Sequence, residues 1–185
     1  MKRFLVACMS LLVATTILMA QDGVKRYGIK SGTITMETEV MGQKIESTSY
    51  FDDYGRLEAS KTSSFGMETY VISRDGKVYL VNKATKQVQE MPVQETINYQ
   101  DLTDEVISKY KIQEVGHETV AGKECVKYTL ESSQMGQRVK VTLSVWSGIP
   151  LKTVTSTGGV EMTATATKLV EGDVDPSIFT IPSSE

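Results

Sequence analysis

Beyond residue 20 the chain carries one histidine, His117, and one cysteine, Cys125. A Ser-His-Asp triad needs its imidazole beside a nucleophile and an orienting acid, and no Gly-x-Ser-x-Gly turn supplies the nucleophile. His117 lies in "KIQEVGHETV", just before Ala121-Gly122, and reads as a solvated strand end. One His and one Cys fall short of the three or four ligands of a zinc site, so no metal is expected. Neither Gly-x-x-x-x-Gly-Lys-Ser/Thr nor a Gly-x-Gly-x-x-Gly after a strand is present, so no cofactor is expected. Glycoside hydrolysis needs only two carboxylates. The candidates are Asp52-Asp53 and the set Glu171, Asp173, Asp175. The first pair has the composition of a turn. The second alternates at period two without an aromatic strip beside it, and a calcium site would need more oxygens. No catalytic residue is expected, and the chain does not read as an enzyme.

Elements that could position a binding surface are plain. "TITMETEV" sets Ile34, Met36, Thr38 and Val40 against Thr33, Thr35, Glu37 and Glu39. "RVKVTLSVW" sets Val139, Val141, Leu143 and Val145 against Arg138, Lys140, Thr142 and Ser144, and "VEMTATATKL" groups Val160, Met162, Ala164 and Ala166. Such alternation marks antiparallel strands with one buried and one wet face. Asp75-Gly76 and Gly158-Gly159 separate strand patterns as two-residue hairpin turns do. "MGQKI" at 41–45 and "MGQRV" at 135–139 place Gly42 and Gly136 as turn glycines of two further hairpins. At the same offset "YFDDYGRLEAS" aligns with "SVWSGIPLKTV", which reads either as two related three-strand units or as shared turn chemistry.

One helix is expected in "VQETINYQDLTDEVISKYKI", with Asp101 as its cap and Asp104 three residues on. Its stripe of Leu102, Val106 and Tyr110, with Ile107 beside it, should lie on the sheet. A short turn is expected at Asp175-Pro176-Ser177, with Pro176 opening it.

Lys2 and Arg3 precede an apolar run from Phe4 to Ala20, the pattern of a secretory signal peptide over residues 1–20. The run is short for a membrane span, so no stable span is expected after cleavage. "LVAC" at 5–8 resembles a lipobox, but almost no apolar core precedes it, which argues against an anchor at Cys8. Without Lys2 and Arg3 the count becomes 18 basic against 23 acidic residues, a net charge of −5. A mildly acidic domain without a basic patch argues against nucleic acid, so no nucleic-acid partner is expected. Cys125, left alone, forms no intramolecular disulfide and reads as a buried thiol.

The C-terminal half, "AGKECVKYTLESS" followed by "VTLSVWSGIPLKTVTSTGGVEMTATATKLVEGDVDPSIFTIP", resembles lipoprotein-localisation-factor-like (LolA/LolB-like) envelope domains, in an exported branch of that group. "YFDDYGR" at 50–56 shares the likeness. The resemblance implies an unclosed barrel whose helices lid an acyl-chain cavity. No binding residue of that family is carried over, because no ligand motif matches here.

Together these features give a mainly β (α+β) class: a curved antiparallel sheet or unclosed β-barrel of about nine to eleven strands, with one or two helices covering the concave face. The expected organisation is a signal peptide at 1–20, a lead-in at 21–31 and one β domain at 32–185. The expected role is a non-catalytic, exported protein of the periplasm or cell envelope. It would bind a lipid, a lipoprotein acyl chain or another apolar ligand, or else another envelope protein at a sheet edge. The candidate lining residues are Ile34, Met36, Tyr70, Ile72, Tyr128, Leu130, Val141, Leu143, Trp146 and Met162, and the same residues would equally serve as core.

Overall fold

A computed structural model describes residues 24–40, 42–64, 67–92, 96–134 and 137–182. The signal peptide expected at 1–20, with Cys8 in it, and Met41, Met135 and Gly136 lie outside the described residues. The expected class is borne out: eleven antiparallel strands form one curved, unclosed sheet.

The chain builds this sheet as two meanders. β1 (Gly32–Val40), β2 (Gln43–Asp52), β3 (Leu57–Ser64), β4 (Met67–Arg74), β5 (Lys77–Asn82) and β6 (Gln87–Met91) form the first. β7 (Gln113–Val120), β8 (Lys123–Gln134), β9 (Gln137–Trp146), β10 (Ile149–Thr157) and β11 (Val160–Glu171) form the second. β1 pairs with β11 and joins them, so the spatial order is β6-β5-β4-β3-β2-β1-β11-β10-β9-β8-β7. Both hairpins of the repeated pentapeptide are present: Val40 faces Gln43, and Gln134 faces Gln137. The Asp75-Gly76 turn has φ of 52° and 70° at its two centres, as a type I′ turn requires.

The helix is shorter than its sequence pattern. α1 spans Asp104–Tyr110, and its cap is Thr103, whose hydroxyl accepts from Val106 N at 3.3 Å. Asp101 does not cap it. Asn98 claims the preceding residues as a turn: Asp101 N donates to Asn98 O, and the Asn98 side chain accepts from Gln100 N at 3.0 Å. The chain therefore turns before it can coil. The short 3-10 turn Pro176–Phe179 forms as expected, with Asp175 accepting from Ser177 N at 2.9 Å.

The lead-in runs across one end of the sheet and ties the two meanders together. Arg26 N and Tyr27 N both donate to Tyr54 O, while Gly28 N donates to Ser147 O at 2.9 Å. Gly148 makes this approach possible. Its φ is +80°, and a Cβ there would sit 2.2 Å from Arg26 O, a contact no other residue type tolerates.

Candidate binding surfaces

Alternation along a strand says which residues share a side, and the register extends that side across strands. Ile34 pairs with Ser49, Met36 with Ala166, Ala164 with Thr153, Thr153 with Leu143, and Leu143 with Tyr128. Met162 pairs with Thr155, which pairs with Val141, which pairs with Leu130. Seven candidate residues, namely Ile34, Met36, Tyr128, Leu130, Val141, Leu143 and Met162, therefore lie on one side, here the strap side. Ile72 pairs with Ala59, and Ala59 with Tyr50, the neighbour of strap-side Phe51. Ile72 and Tyr70 thus lie on the opposite side, here the tail side, while Trp146 sits beside the register shift between Pro150 and Lys152 and packs against the central cluster. The candidates do not converge on a single surface.

On the strap side, residues 97–112 run over β8 and β9. Ile112, Leu130, Leu143 and Val145 are buried, with Ile97, Tyr99, Leu102, Val106, Ile107 and Tyr110 packed against them. The expected stripe thus meets the sheet. No residue of α1 is itself buried. Tyr99 and Tyr128 pack with ring centroids 5.7 Å apart, and burial raises the pKa of both phenols, with the neighbouring Tyr128 adding to the effect at Tyr99 and Glu114 at Tyr128. An exposed ion pair, Lys111 Nζ to Glu131 Oε2 at 2.6 Å, fastens the far end of the strap.

On the tail side, Ala59, Ile72, Val81 and Phe179 are buried together, with Val174, Ile178 and Ile181 packed against them. Polar contacts pin this tail: Arg74 Nη1 donates to Phe179 O at 3.3 Å, and Lys83 Nζ donates to Ser177 O at 3.1 Å. At the centre, Ile34, Met36, Phe51, Leu151, Ala164 and Ala166 form a third cluster with Tyr27 and Cys125. Trp146 packs against it under Lys123 Nζ, 4.2 Å from the ring centroid. Cys125 is fully buried, and burial raises its thiol pKa, so the reading as a packed, unreactive thiol holds.

Two charged groups are missing from the sequence reading. The first is Arg26, buried at the sheet end. Its Nη2 lies 2.6 Å from Glu58 Oε2 and also donates to Gly55 O, while the Tyr27 hydroxyl donates to Glu58 Oε1. Burial raises the Glu58 carboxyl above the usual range and outweighs the pull of Arg26 and both hydrogen bonds. Arg26 Nη1 and Ser73 Oγ, both buried, have no hydrogen-bond partner among the described residues.

The second group lines a cavity of about 330 Å³ on the tail side of the second meander, bordered by Val115, Glu118, Lys127, Thr129, Thr142, Ser144, Lys152 and Val154. Glu118 accepts from the Ser144 hydroxyl and from Lys152 Nζ at 3.0 Å, and stands 3.7 Å from Lys127 Nζ. Burial pushes Glu118 upward, but those hydrogen bonds and the two lysine charges together prevail, so its pKa is lowered. No signal in one strand marks this cluster, because its members come from β7, β8, β9 and β10 and meet only through register. His117 is exposed on edge strand β7. Of the other weighed carboxylates, Asp52 accepts from Asp53 N at 2.7 Å, and Glu171 pairs with Lys123 at 2.7 Å.

Comparison with known proteins agrees with this architecture. The MucA/MucB complex of Pseudomonas aeruginosa is similar at 18% identity and a TM-score of 0.56, over 80% of this chain and 54% of that one. A structure of MucB in complex with MucA(peri) gives 19% identity and a TM-score of 0.53, over 78% and 51%. An uncharacterized conserved protein from Thermus thermophilus gives 12% and 0.54, over 92% and 91%. The chain spans about half the length of the two MucB-complex chains it matches. Likeness at these identities extends to the fold alone. No curated protein matches the chain. The architecture fits the LolA-like fold that the resemblance implied, without placing the chain in the LolA/LolB family itself. The model of the family described as "Domain of unknown function (DUF4412)" matches residues 31–147, more than half of the 185 residues, and the chain belongs to that family.

Proposed function

We propose that this protein is a non-catalytic, exported binding domain of the cell envelope, with a signal peptide at 1–20 and a single domain at 32–185. It takes an apolar ligand, such as a lipid or lipoprotein acyl chain, between its sheet and the strap of residues 97–112. One observation carries the reading. Leu130, Leu143 and Val145 are buried beneath a helix that has no buried residue of its own. The helical part of the cover is therefore weakly held, with Ile112 as the strap's one buried anchor among the described residues, while the covered surface is strongly apolar. An acyl chain that lifts the strap would restore the burial of those side chains, each worth about 1.5–3 kcal/mol. The test is uptake of a fluorescent fatty acid, combined with mass spectrometry of an organic extract of the purified protein. Saturable uptake or a bound lipid is expected. A clean extract with no uptake would reject the lipid reading.

A second reading is supported by the open sheet. Its ends are β6 and β7, and the pairing of β7 with β8 shifts register between Glu114 and Gly116, a feature that blunts an edge. β6 (Gln87–Met91) has no such shift in its pairing with β5 and can accept an added strand. The MucB structures contain a protein partner, MucA. Crosslinking in the native envelope separates the readings: a single stoichiometric protein joined through β6, with no lipid recovered, favours the second.

A further inference from the structure

We propose that the cavity of Glu118, Lys127 and Lys152 is a binding site for a small amphiphilic anion, a carboxylate on a short aliphatic body. Two adjacent cross-strand rows build it. Lys127 pairs with Ser144, and Ser144 with Lys152, so a hydroxyl sits between two ammonium-bearing residues on three neighbouring strands. In the next row Thr129 pairs with Thr142, and Thr142 with Val154, giving a mainly methyl-lined wall. Across these rows lies Glu118 of β7, whose extended side chain reaches over β8 and β9 and accepts from the Ser144 hydroxyl and from Lys152 Nζ on β10 at 3.0 Å. The Lys127 row ends on Gly116. A Cβ at Gly116 would meet nothing within 4 Å, so the row stays open at that end.

The charge count identifies the occupant. Two ammonium groups face one carboxylate, which leaves one positive charge in a partly shielded space. Lys152 spends one of its three N–H donors on Glu118, while Lys127 stands beyond hydrogen-bond range at 3.7 Å. Donors thus remain for an incoming anion. Glu118 acts as the internal counter-ion that holds the ammonium groups in place and limits the site to one negative charge. A cavity of about 330 Å³ lies at the small end of ligand sites, and Val115, Val154 and the threonine methyls favour an aliphatic body over inorganic phosphate. The site lies on the side of the sheet opposite the strap, so its occupancy does not require the strap to move.

The test is a titration of the purified protein with sodium octanoate, followed by amide NMR, with inorganic phosphate as the comparator. Saturable shifts are expected at Gly116, Thr129 and Thr142, with phosphate binding at least tenfold more weakly. Lys127→Met should weaken octanoate about tenfold, the loss of roughly one ion pair, and Lys127→Arg should restore most of it. Raising NaCl from about 50 to 500 mM should weaken wild-type binding, a check that needs no variant. The proposal is overturned by the absence of saturable shifts, by shifts centred on Leu130 and Leu143, by unchanged affinity in Lys127→Met or in high salt, or by phosphate binding as tightly as octanoate. Lipid uptake beneath the strap can fail while this site binds, and the converse also holds, so the two readings fall separately.

Discussion

The two covered sides of this sheet both bury apolar side chains but are covered differently. Beneath the tail, Ile72 and Val81 are fully buried, and the covering side chain Phe179 is itself 3% exposed. Beneath the strap, Leu130 and Leu143 are 6–7% exposed, and the helix above contributes no buried residue. The tail completes a core, because both partners lose water. The strap is shielded in return only at Ile112, its last residue, and its helix not at all. Since burial free energy scales with the apolar area removed from water on both partners, the strap is the element a ligand can displace most easily.

The largest effect that tests this contrast is Phe179→Ala. Removing a buried aromatic costs about 3–5 kcal/mol through lost transfer energy and the cavity left behind. Urea denaturation should show that loss with an unchanged m-value. Next comes the buried pair at the sheet end. Arg26→Met removes one partner and leaves the Glu58 carboxylate enclosed, which costs about 3–5 kcal/mol for a fully buried pair. Glu58 is 16% exposed, so about 3 kcal/mol is expected. The double variant Arg26→Met with Glu58→Leu should recover most of the loss. If it does not, the lead-in is held by backbone contacts to Tyr54 and Ser147, and the charged pair is incidental. Ile107→Ala on the strap should cost only about 1 kcal/mol, well below the roughly 2–5 kcal/mol of a fully buried isoleucine. A cost matching that of Phe179→Ala would make the strap a second core and remove the contrast.

The strands were legible because alternation and turn chemistry are local. Ile34/Met36, Val141/Leu143 and Asp75-Gly76 each speak through their immediate neighbours. The helix was legible in kind but not in length, because Asn98 formed a competing turn that propensity alone does not rank against Asp101. The expectation of one shared apolar surface failed for a different reason. Alternation assigns sides within a strand but not between strands. Only the register through the β2–β3 turn, where Asp52 faces Leu57 across Asp53–Gly55, sets Ile72 opposite Ile34. The Arg26–Glu58 pair spans 32 residues, and the Lys127–Ser144–Lys152 row spans three strands, so neither has a local signature. Trp146 was legible as packing or pocket wall, and the structure places it against the central cluster beneath Lys123.

The smallest effect compares the two glutamates. Both start from the usual glutamate value of 4.5. Burial holds Glu58 above it, so the folded state binds this proton more tightly than the unfolded chain does. Its contribution to stability is then complete below the unfolded pKa and is lost as pH rises through the raised folded value. Glu118 is held below 4.5 once Ser144, Lys152 and Lys127 outweigh its burial, so its contribution is present above the unfolded pKa and is lost as pH falls through the lowered folded value. Denaturation of wild type, Glu58→Gln and Glu118→Gln across about pH 3 to 7 should therefore give difference curves of opposite slope. Wild type loses ground to Glu58→Gln as pH rises, and gains ground on Glu118→Gln over the same range. Curves of the same sign would mean that Arg26 governs Glu58 more strongly than burial does. The sheet end would then be an ordinary ion pair, with no desolvated carboxylate at its centre.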